Sequence, residues 1–440
     1  RGTEPVYSSG KSFRVSAWSL PPNPGVGFGE FQNNPNYATE ENYRTMAECG
    51  FNTCMPITDW NDTFTLNTLT QAQATGMKVL VQDSAANGIT AIIRKGGTYE
   101  EAKARFAENT EALKARYDEF KKFTSFAGVN AYDEPATTLY EAIRAGQDWF
   151  RENYPEYEYY VNLLPNYATP KQLFDTDADK NWNYEIHVSK FAEEVKPAML
   201  SYDHYCLVET FDGGKEILDD FYYNLYVFAE QGKKHGLPVY IYLQTMAYDD
   251  RVPLESYADF AWQTYTSLAF GVQGIQCFCY WTMLSTGSRI RQAIVDRDGS
   301  KTQNWDYVST VLSEIKSFED VYFAFEWDGF KLYEKEEGGN VMFDFIRNNQ
   351  LSELKGVKDA ETNEDIIAGQ FLDAEGYPAY MIANASSPFE QKTATVTLTF
   401  DSSVTKATVY RRGEKRTVDV KNNRLTLELA SGEGDFVIPY

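Results

Sequence analysis

From about residue 13 to residue 281, short apolar runs of β type alternate with amphipathic stretches of helical period. The runs cover 13–20, 51–57, 77–82, 126–133, 157–164, 198–206, 237–244 and 274–281. Between them, 40–49, 66–75, 99–123, 139–153, 184–195, 220–235 and 256–270 carry apolar residues at i, i+3 and i+4, and an eighth such stretch, 307–317, follows the last run. Gly50, Gly76 and Gly236 stand at helix ends, where a left-handed residue closes the final turn. Eight β-α units in order predict an α/β fold, a (β/α)8 TIM barrel over 13–327, with a large open sheet as the alternative.

After Trp327 the helical period stops. Segments of β type are separated by the turn signals Gly338-Gly339-Asn340, Asp373-Ala374-Glu375-Gly376, Asn384-Ala385-Ser386-Ser387 and Lys421-Asn422-Asn423. The run 394–400, Ala-Thr-Val-Thr-Leu-Thr-Phe, alternates apolar and polar residues, as a strand with one buried and one wet face does. An all-β sandwich is therefore expected over 328–440. No flexible linker precedes it, so it should pack directly on the barrel. Residues 1–12 form a polar N-terminal segment.

The composition changes this picture only at the margins. With 43% hydrophobic and 15% aromatic residues in 440, the chain can bury a large core. A formal charge of −23 repels phosphate backbones, which argues against nucleic acid as a partner. No run reaches the about 20 apolar residues of a membrane span. The chain starts at Arg1 without a leader, and the expectation is a secreted, periplasmic or cell-surface protein whose leader has been removed. Cys49, Cys54, Cys206, Cys277 and Cys279 sit in apolar segments without zinc-ribbon spacing. They read as buried thiols. With only 3 His in the chain, no metal and no cofactor are expected.

In a barrel, reactive groups lie at the C-terminal ends of the strands. The fourth run, Phe-Ala-Gly-Val-Asn-Ala-Tyr-Asp-Glu-Pro over 126–135, ends in two adjacent carboxylates and a helix-blocking proline. Period-two alternation puts Asn130, Tyr132 and Glu134 on one face. A glutamate in a ring-lined pocket keeps its proton toward neutral pH and can protonate a leaving oxygen. The plainer alternative is that Asp133 and Glu134 only cap the following helix.

This stretch resembles the strand-four signature of the large retaining clan of barrel glycoside hydrolases, Asn-Glu often followed by Pro, here Asp133-Glu134-Pro135. The resemblance implies that Glu134 is the acid/base and that Asp133 replaces the asparagine near a sugar hydroxyl. It also implies that Trp281, at the end of strand eight, is the floor for a sugar ring, and a C-terminal β-sandwich is a common attachment of such barrels. The clan's strand-seven glutamate nucleophile is missing, with Gln244 near its place. The chitinase-like pattern Asp-x-x-Asp-x-Asp-x-Glu matches only at its glutamate, since Ala127, Asn130 and Tyr132 stand at the other positions.

A hydrolase then needs its second carboxylate elsewhere. The end of strand six, Ser201-Tyr202-Asp203-His204-Tyr205, makes Asp203 the first choice as base or nucleophile. Asp83, Asp59, Glu209 and the pair Asp249-Asp250 are the reserves. A spacing of about 5–5.5 Å would mean double displacement, and about 6.5–9.5 Å would mean inversion. Tyr202 and Tyr205 face opposite ways on a regular strand, so at most one reaches the pocket. His204, Trp18 and Trp60 are further sugar-contact candidates, with rim packing as the alternative. Gly25-Val-Gly-Phe-Gly lacks dinucleotide-loop spacing, and no nucleophile elbow or P-loop is present. The expected activity is hydrolysis of a poly- or oligosaccharide. A carbohydrate-binding barrel that has lost a catalytic carboxylate is the alternative.

Overall fold

The computed structural model describes residues 2–56, 62–82, 86–176, 183–285 and 289–440. Eight parallel strands form one sheet: strand one Arg14–Trp18, two Thr53–Met55, three Lys78–Gln82, four Phe126–Asp133, five Glu158–Asn162, six Leu200–Asp203, seven Val239–Gln244 and eight Gly274–Phe278. Their order is 5-4-3-2-1-8-7-6. A parallel bridge from Leu163 to Tyr202 joins the two ends, with the Leu163 N–H donating to the Ser201 carbonyl at 2.8 Å, so the sheet closes into a barrel. The outward faces of the strands are apolar under the helices, whereas the inside mixes apolar side chains with buried polar ones such as Ser16, Asn130, Ser201 and Gln276. Met55, Leu80, Tyr160, Met199 and Tyr242 make the inner layer.

The helices follow from local chemistry as well as period. Thr39 caps Glu40–Cys49 by accepting from the Asn42 N–H, and Gly50 closes it at φ 118°. Gly236 does the same for Phe221–His235 at φ 65°. The long stretch 99–123 is two helices, Tyr99–Glu108 and Thr110–Phe120, and a short helix, Ile89–Ile93, precedes them. The loop after strand six carries a small hairpin, Leu207–Glu209 with Lys215–Ile217, that the alternation of β and α runs does not announce.

Beyond the barrel, six antiparallel strands form one sheet, in the spatial order Glu326–Tyr333, Ile366–Leu372, Pro378–Asn384, Gly434–Pro439, Lys406–Arg411 and Glu414–Asp419. A second sheet, Val357–Thr362, Ala394–Phe400 and Arg424–Leu429, packs on it through Val396, Leu398, Leu425, Leu427, Ile382 and Val409. The helical period does not vanish wholly after Trp327: Val341–Asp344 is one α-helical turn, capped by Asn340, and Arg347–Asn349 and Pro388–Glu390 are short 3-10 turns. The larger sheet turns its other face to the barrel helices, where Phe371 and Phe436 meet Tyr322 at 5.1 and 5.7 Å between ring centroids. This explains why Ile366–Leu372 is buried on both faces and does not alternate. Gly369 is needed there, since a Cβ would fall 2.2 Å from the Ala269 carbonyl oxygen.

That seam holds a buried carboxylate. Glu314, on helix Gln303–Lys316, is 4% exposed and accepts from the Tyr257 hydroxyl at 2.6 and 2.9 Å. Burial pushes its carboxyl up to about 7, against the opposing pull of Tyr257 and Arg412. A folded-state value above the unfolded one means that the protonated group costs nothing at low pH. Stability is then lost as pH rises from the unfolded value near 4.3 through 7. Glu314→Gln is expected to melt progressively higher than wild type between pH 5 and 8, by up to about 3 kcal/mol. Parallel melting curves across that range would show that the carboxylate stays paired and charged.

Candidate active site

The C-terminal ends of the barrel strands surround a cleft of about 570 Å³, and Asp133, Glu134, Asn162 and Asp203 stand together in it. The end of strand four is irregular. Its pairing with strand five slips by one residue between Asn130 and Tyr132, and Glu134 adopts the left-handed backbone at φ 54°. For a residue with a Cβ that conformation costs about 1–3 kcal/mol and is typical of functional sites. Here the Glu134 N–H holds it by donating to the Asn162 carbonyl at 2.8 Å.

The slip leaves Asn130 and Tyr132 together but brings Asp133, expected on the opposite face, into register with Asn162. Asn130 and Tyr132 turn into a small side pocket with Trp18 and Gln82, Glu134 lines the main cleft, and Asp133 borders both. An extra residue on one strand breaks the period-two rule at the point where the sequence pattern relied on it.

Asn162 organises the carboxyls. Its Nδ2 donates to Asp203 Oδ1 at 2.8 Å, and its side chain also hydrogen-bonds Asp133. Its orientation is fixed from below, because Oδ1 accepts from Ser201 Oγ at 3.0 Å. Ser201 Oγ lies 2.6 Å from the Tyr160 hydroxyl and accepts from Gln276 Nε2 at 3.0 Å. The amide oxygen is thus committed downward and the amide N–H upward, toward the carboxyls. Ser201→Ala removes the donor to Asn162 and a partner of Tyr160. It is expected to lower stability by about 1–3 kcal/mol, read by denaturant unfolding. A loss under a few tenths would show that water replaces the hydroxyl.

Glu134 and Asp203 are hydrogen-bonded to each other. Burial raises Asp203 well above the usual carboxylate range, and repulsion from Glu134 and Asp133 adds to it. Burial likewise raises Glu134, against the hydrogen bond from Asp203. Asp133 is pushed up to about 8 by burial and by Glu134, while Asn162 pulls the other way. Three such groups in one pocket cannot all be ionised, so the cluster retains protons near neutral pH.

The remaining sequence candidates divide cleanly. Trp18 and Tyr205 line the cleft, Trp18 edge-on to Tyr242 at 5.4 Å and Tyr205 stacked on Phe278 at 5.0 Å. Tyr202 does not: it points outward and stacks on Phe228 at 4.0 Å, as its opposite parity requires. His204 is fully buried, with Nε2 2.9 Å from Asp220, and supports the cleft residue Tyr167 edge-on at 5.0 Å rather than touching the cleft itself. Trp281 is packed away against Tyr37, and Phe278 takes the place at the end of strand eight that was expected for it.

Gln244 is no cleft residue either. Its amide accepts from the Leu207 N–H and donates to the Leu207 and Val252 carbonyls, tying together the loops after strands six and seven. Glu209, Asp249 and Asp250 do not line the cleft, and the last two pair with Arg289 and Arg251. Asp83, Asp59 and Trp60 lie outside the described residues.

Sequence reasoning missed Asn162, Tyr160, Ser201, Tyr167, Tyr242, Phe278 and Arg251. The signal for the first three was available: Tyr160 and Asn162 share parity on strand five, as Ser201 and Asp203 do on strand six. Arg251 comes from a loop, with its guanidinium over the Tyr167 ring at 5.2 Å and Nε donating to the Tyr205 carbonyl.

All five cysteines are free and buried. Among the described residues, no group of three or more His, Cys, Asp or Glu is arranged to hold a metal ion, and no helix is long and apolar enough to cross a membrane.

No family model matches the sequence, and no curated protein matches it. Solved structures do. An Anoxybacillus α-amylase is 10% identical at TM-score 0.52, over 97% of this chain and 98% of the other. A family 39 glycoside hydrolase from Bacteroides cellulosilyticus WH2 is 10% identical at TM-score 0.48, over 98% and 81%. A β-galactosidase from the haloarchaeon Halorubrum lacusprofundi is 11% identical at TM-score 0.46, over 72% of this chain, which spans only 59% of that protein's length. At 10% identity the likeness to the Anoxybacillus α-amylase is one of fold alone.

Proposed function

We propose that the protein is a glycoside hydrolase in which the Glu134–Asp203 pair supplies the proton to the leaving oxygen. The observation that carries this reading is the hydrogen-bonded contact of the two carboxyls beside a third, Asp133, in a cleft walled by Trp18, Tyr205, Tyr242 and Phe278. The pair retains a proton where an ordinary carboxylate has lost it, which a general acid requires near neutral pH. The rings supply apolar faces for sugar carbons, and the polar cluster lies at the cleft wall where a glycosidic oxygen can reach it.

Glu134 delivers the proton, being the member of the pair open to solvent through the cleft. Asp203, held by Asn162, stores it and, once ionised, stabilises positive charge developing on the sugar. With Gln244 committed to the loops, no strand-seven carboxylate attacks. The attacking oxygen comes from water, which gives up its proton to an ionised carboxylate of the cluster and so restores the pair's proton, or from a group inside the active complex such as Asp133 or a substituent of the substrate. Proton NMR of the first sugar released distinguishes these routes, because inversion identifies water and retention an internal nucleophile.

Hydrolysis of a panel of aryl glycosides and glycans, with calorimetry in parallel, tests the proposal. Tight binding with no released sugar would instead establish a carbohydrate-binding barrel.

A further inference from the structure

We propose that the side pocket beside the cleft is a second sugar subsite, which takes one neutral, hydroxyl-bearing ring of the glycan whose neighbouring bond lies at Glu134. This rests on the glycan reading above. The pocket is formed by Trp18, Gln82, Arg94, Asn130, Tyr132 and Asp133, at the ends of strands one, three and four with Arg94 from the helix region beyond strand three. Trp18 and Asp133 also line the main cleft, so the two cavities meet at the carboxyl cluster and a saccharide in one continues into the other.

The pocket's wall is polar, with two amides, a guanidinium, a phenol and a carboxyl among its lining groups. Asn130 is 6% exposed, and its Oδ1 is buried without a hydrogen-bond partner. Gln82 Oε1, beside it on strand three, is likewise buried and without a hydrogen-bond partner among the described residues. Asn130 and Gln82 are register partners on strands four and three, so their amides stand side by side on the pocket wall, where an amide can both donate to and accept from a ligand. Sugar hydroxyls both donate and accept, and so match such groups. Among the described residues the Arg94 guanidinium has neither an ion pair nor a side-chain hydrogen bond, and it can donate to the ring's oxygens.

Size narrows the occupant. The volume is about 160 Å³, several times the roughly 30 Å³ share of one water and below the roughly 300–1,000 Å³ of sites for drug-sized ligands. One ring or ring-sized unit fits. Asp133, which forms the common wall, disfavours a carboxylate- or sulfate-bearing unit and accepts or donates to a hydroxyl equally well.

The test uses Asn130→Leu, Gln82→Leu and Arg94→Ala, each alone and combined with Glu134→Gln. The probes are the α- and β-4-nitrophenyl glycosides of glucose, galactose, mannose and xylose, with 4-nitrophenyl maltoside, cellobioside and lactoside, titrated by calorimetry. At least one disaccharide probe is expected to bind, and each side-pocket substitution to weaken it about tenfold. Asn130→Leu should melt no lower than wild type, because it removes an unpaired buried acceptor. Arg94 is exposed, so its variant keeps the test open if a buried variant fails to fold.

Unchanged disaccharide affinity in all three variants, or no binding of any probe, overturns the subsite. The Glu134→Gln background separates the two readings. Binding that depends on the side pocket without turnover in the wild type sinks only the hydrolase. Turnover in the wild type with affinity indifferent to Asn130, Gln82 and Arg94 sinks only the subsite.

Discussion

Glu134→Gln is expected to lower turnover of an unactivated glycoside by about 10² to 10⁴ while leaving saccharide binding measurable, because it removes the group that passes the pair's proton to the leaving oxygen and little else. The amide is nearly isosteric, and the backbone hydrogen bond from residue 134 to the Asn162 carbonyl is untouched, so the left-handed turn persists. Loss should be smaller on a glycoside with a good aryl leaving group, which needs less acid assistance. Comparing kcat/KM on the two substrates therefore reads proton transfer apart from binding. Equal losses on both would assign Glu134 to charge stabilisation or positioning, and no loss on either would remove it from the chemistry.

How much of this was legible in the sequence depended on whether a local rule survived its tertiary setting. The barrel was readable because alternating periods report burial directly: a strand covered on both sides is largely apolar, and a covering helix must be apolar on one face. The carboxylates were readable because Asp133-Glu134-Pro135 and Asp203 stand at strand ends, where the fold exposes side chains to the cleft. Parity alone separated Tyr202 from Tyr205 correctly.

Parity failed at the slip between Asn130 and Tyr132, since an inserted residue in a strand pair leaves no mark in composition. Gln244 and Trp281 misled for a different reason. Each stands near a position that matters in a resembling family, but the loop after strand seven captured the amide and Tyr37 captured the ring. Asn162 went unseen because an asparagine at a strand end is ordinary until two carboxyls and a serine from other strands converge on its amide. Those convergences are long-range, and a single sequence records them only as unremarkable polar residues.

Asp203→Asn carries the second large effect and the sharper test, because it bears on both rate and pH dependence. In the wild type the Glu134–Asp203 pair binds its last proton tightly: removing it leaves two negative charges in hydrogen-bond contact, one of them on the buried Asp203. The alkaline limb of the pH–rate profile reports that loss and should lie above the ordinary carboxylate range. An asparagine at 203 carries no charge and can still donate to Glu134, so the last proton is bound less tightly. The alkaline limb is then expected to move toward lower pH by at least about one unit, since one unit corresponds to only about 1.4 kcal/mol of lost repulsion. Activity at the new optimum should fall by about 10² or more on an activated aryl glycoside as well, because the ionised Asp203 no longer stabilises charge on the sugar. A purely structural Asp203 predicts a different pattern, in which rate and stability fall together and the limb stays where it was. Measuring kcat/KM from pH 4 to pH 10 in both proteins, with melting temperatures alongside, decides between them: an unmoved limb would end the shared-proton mechanism.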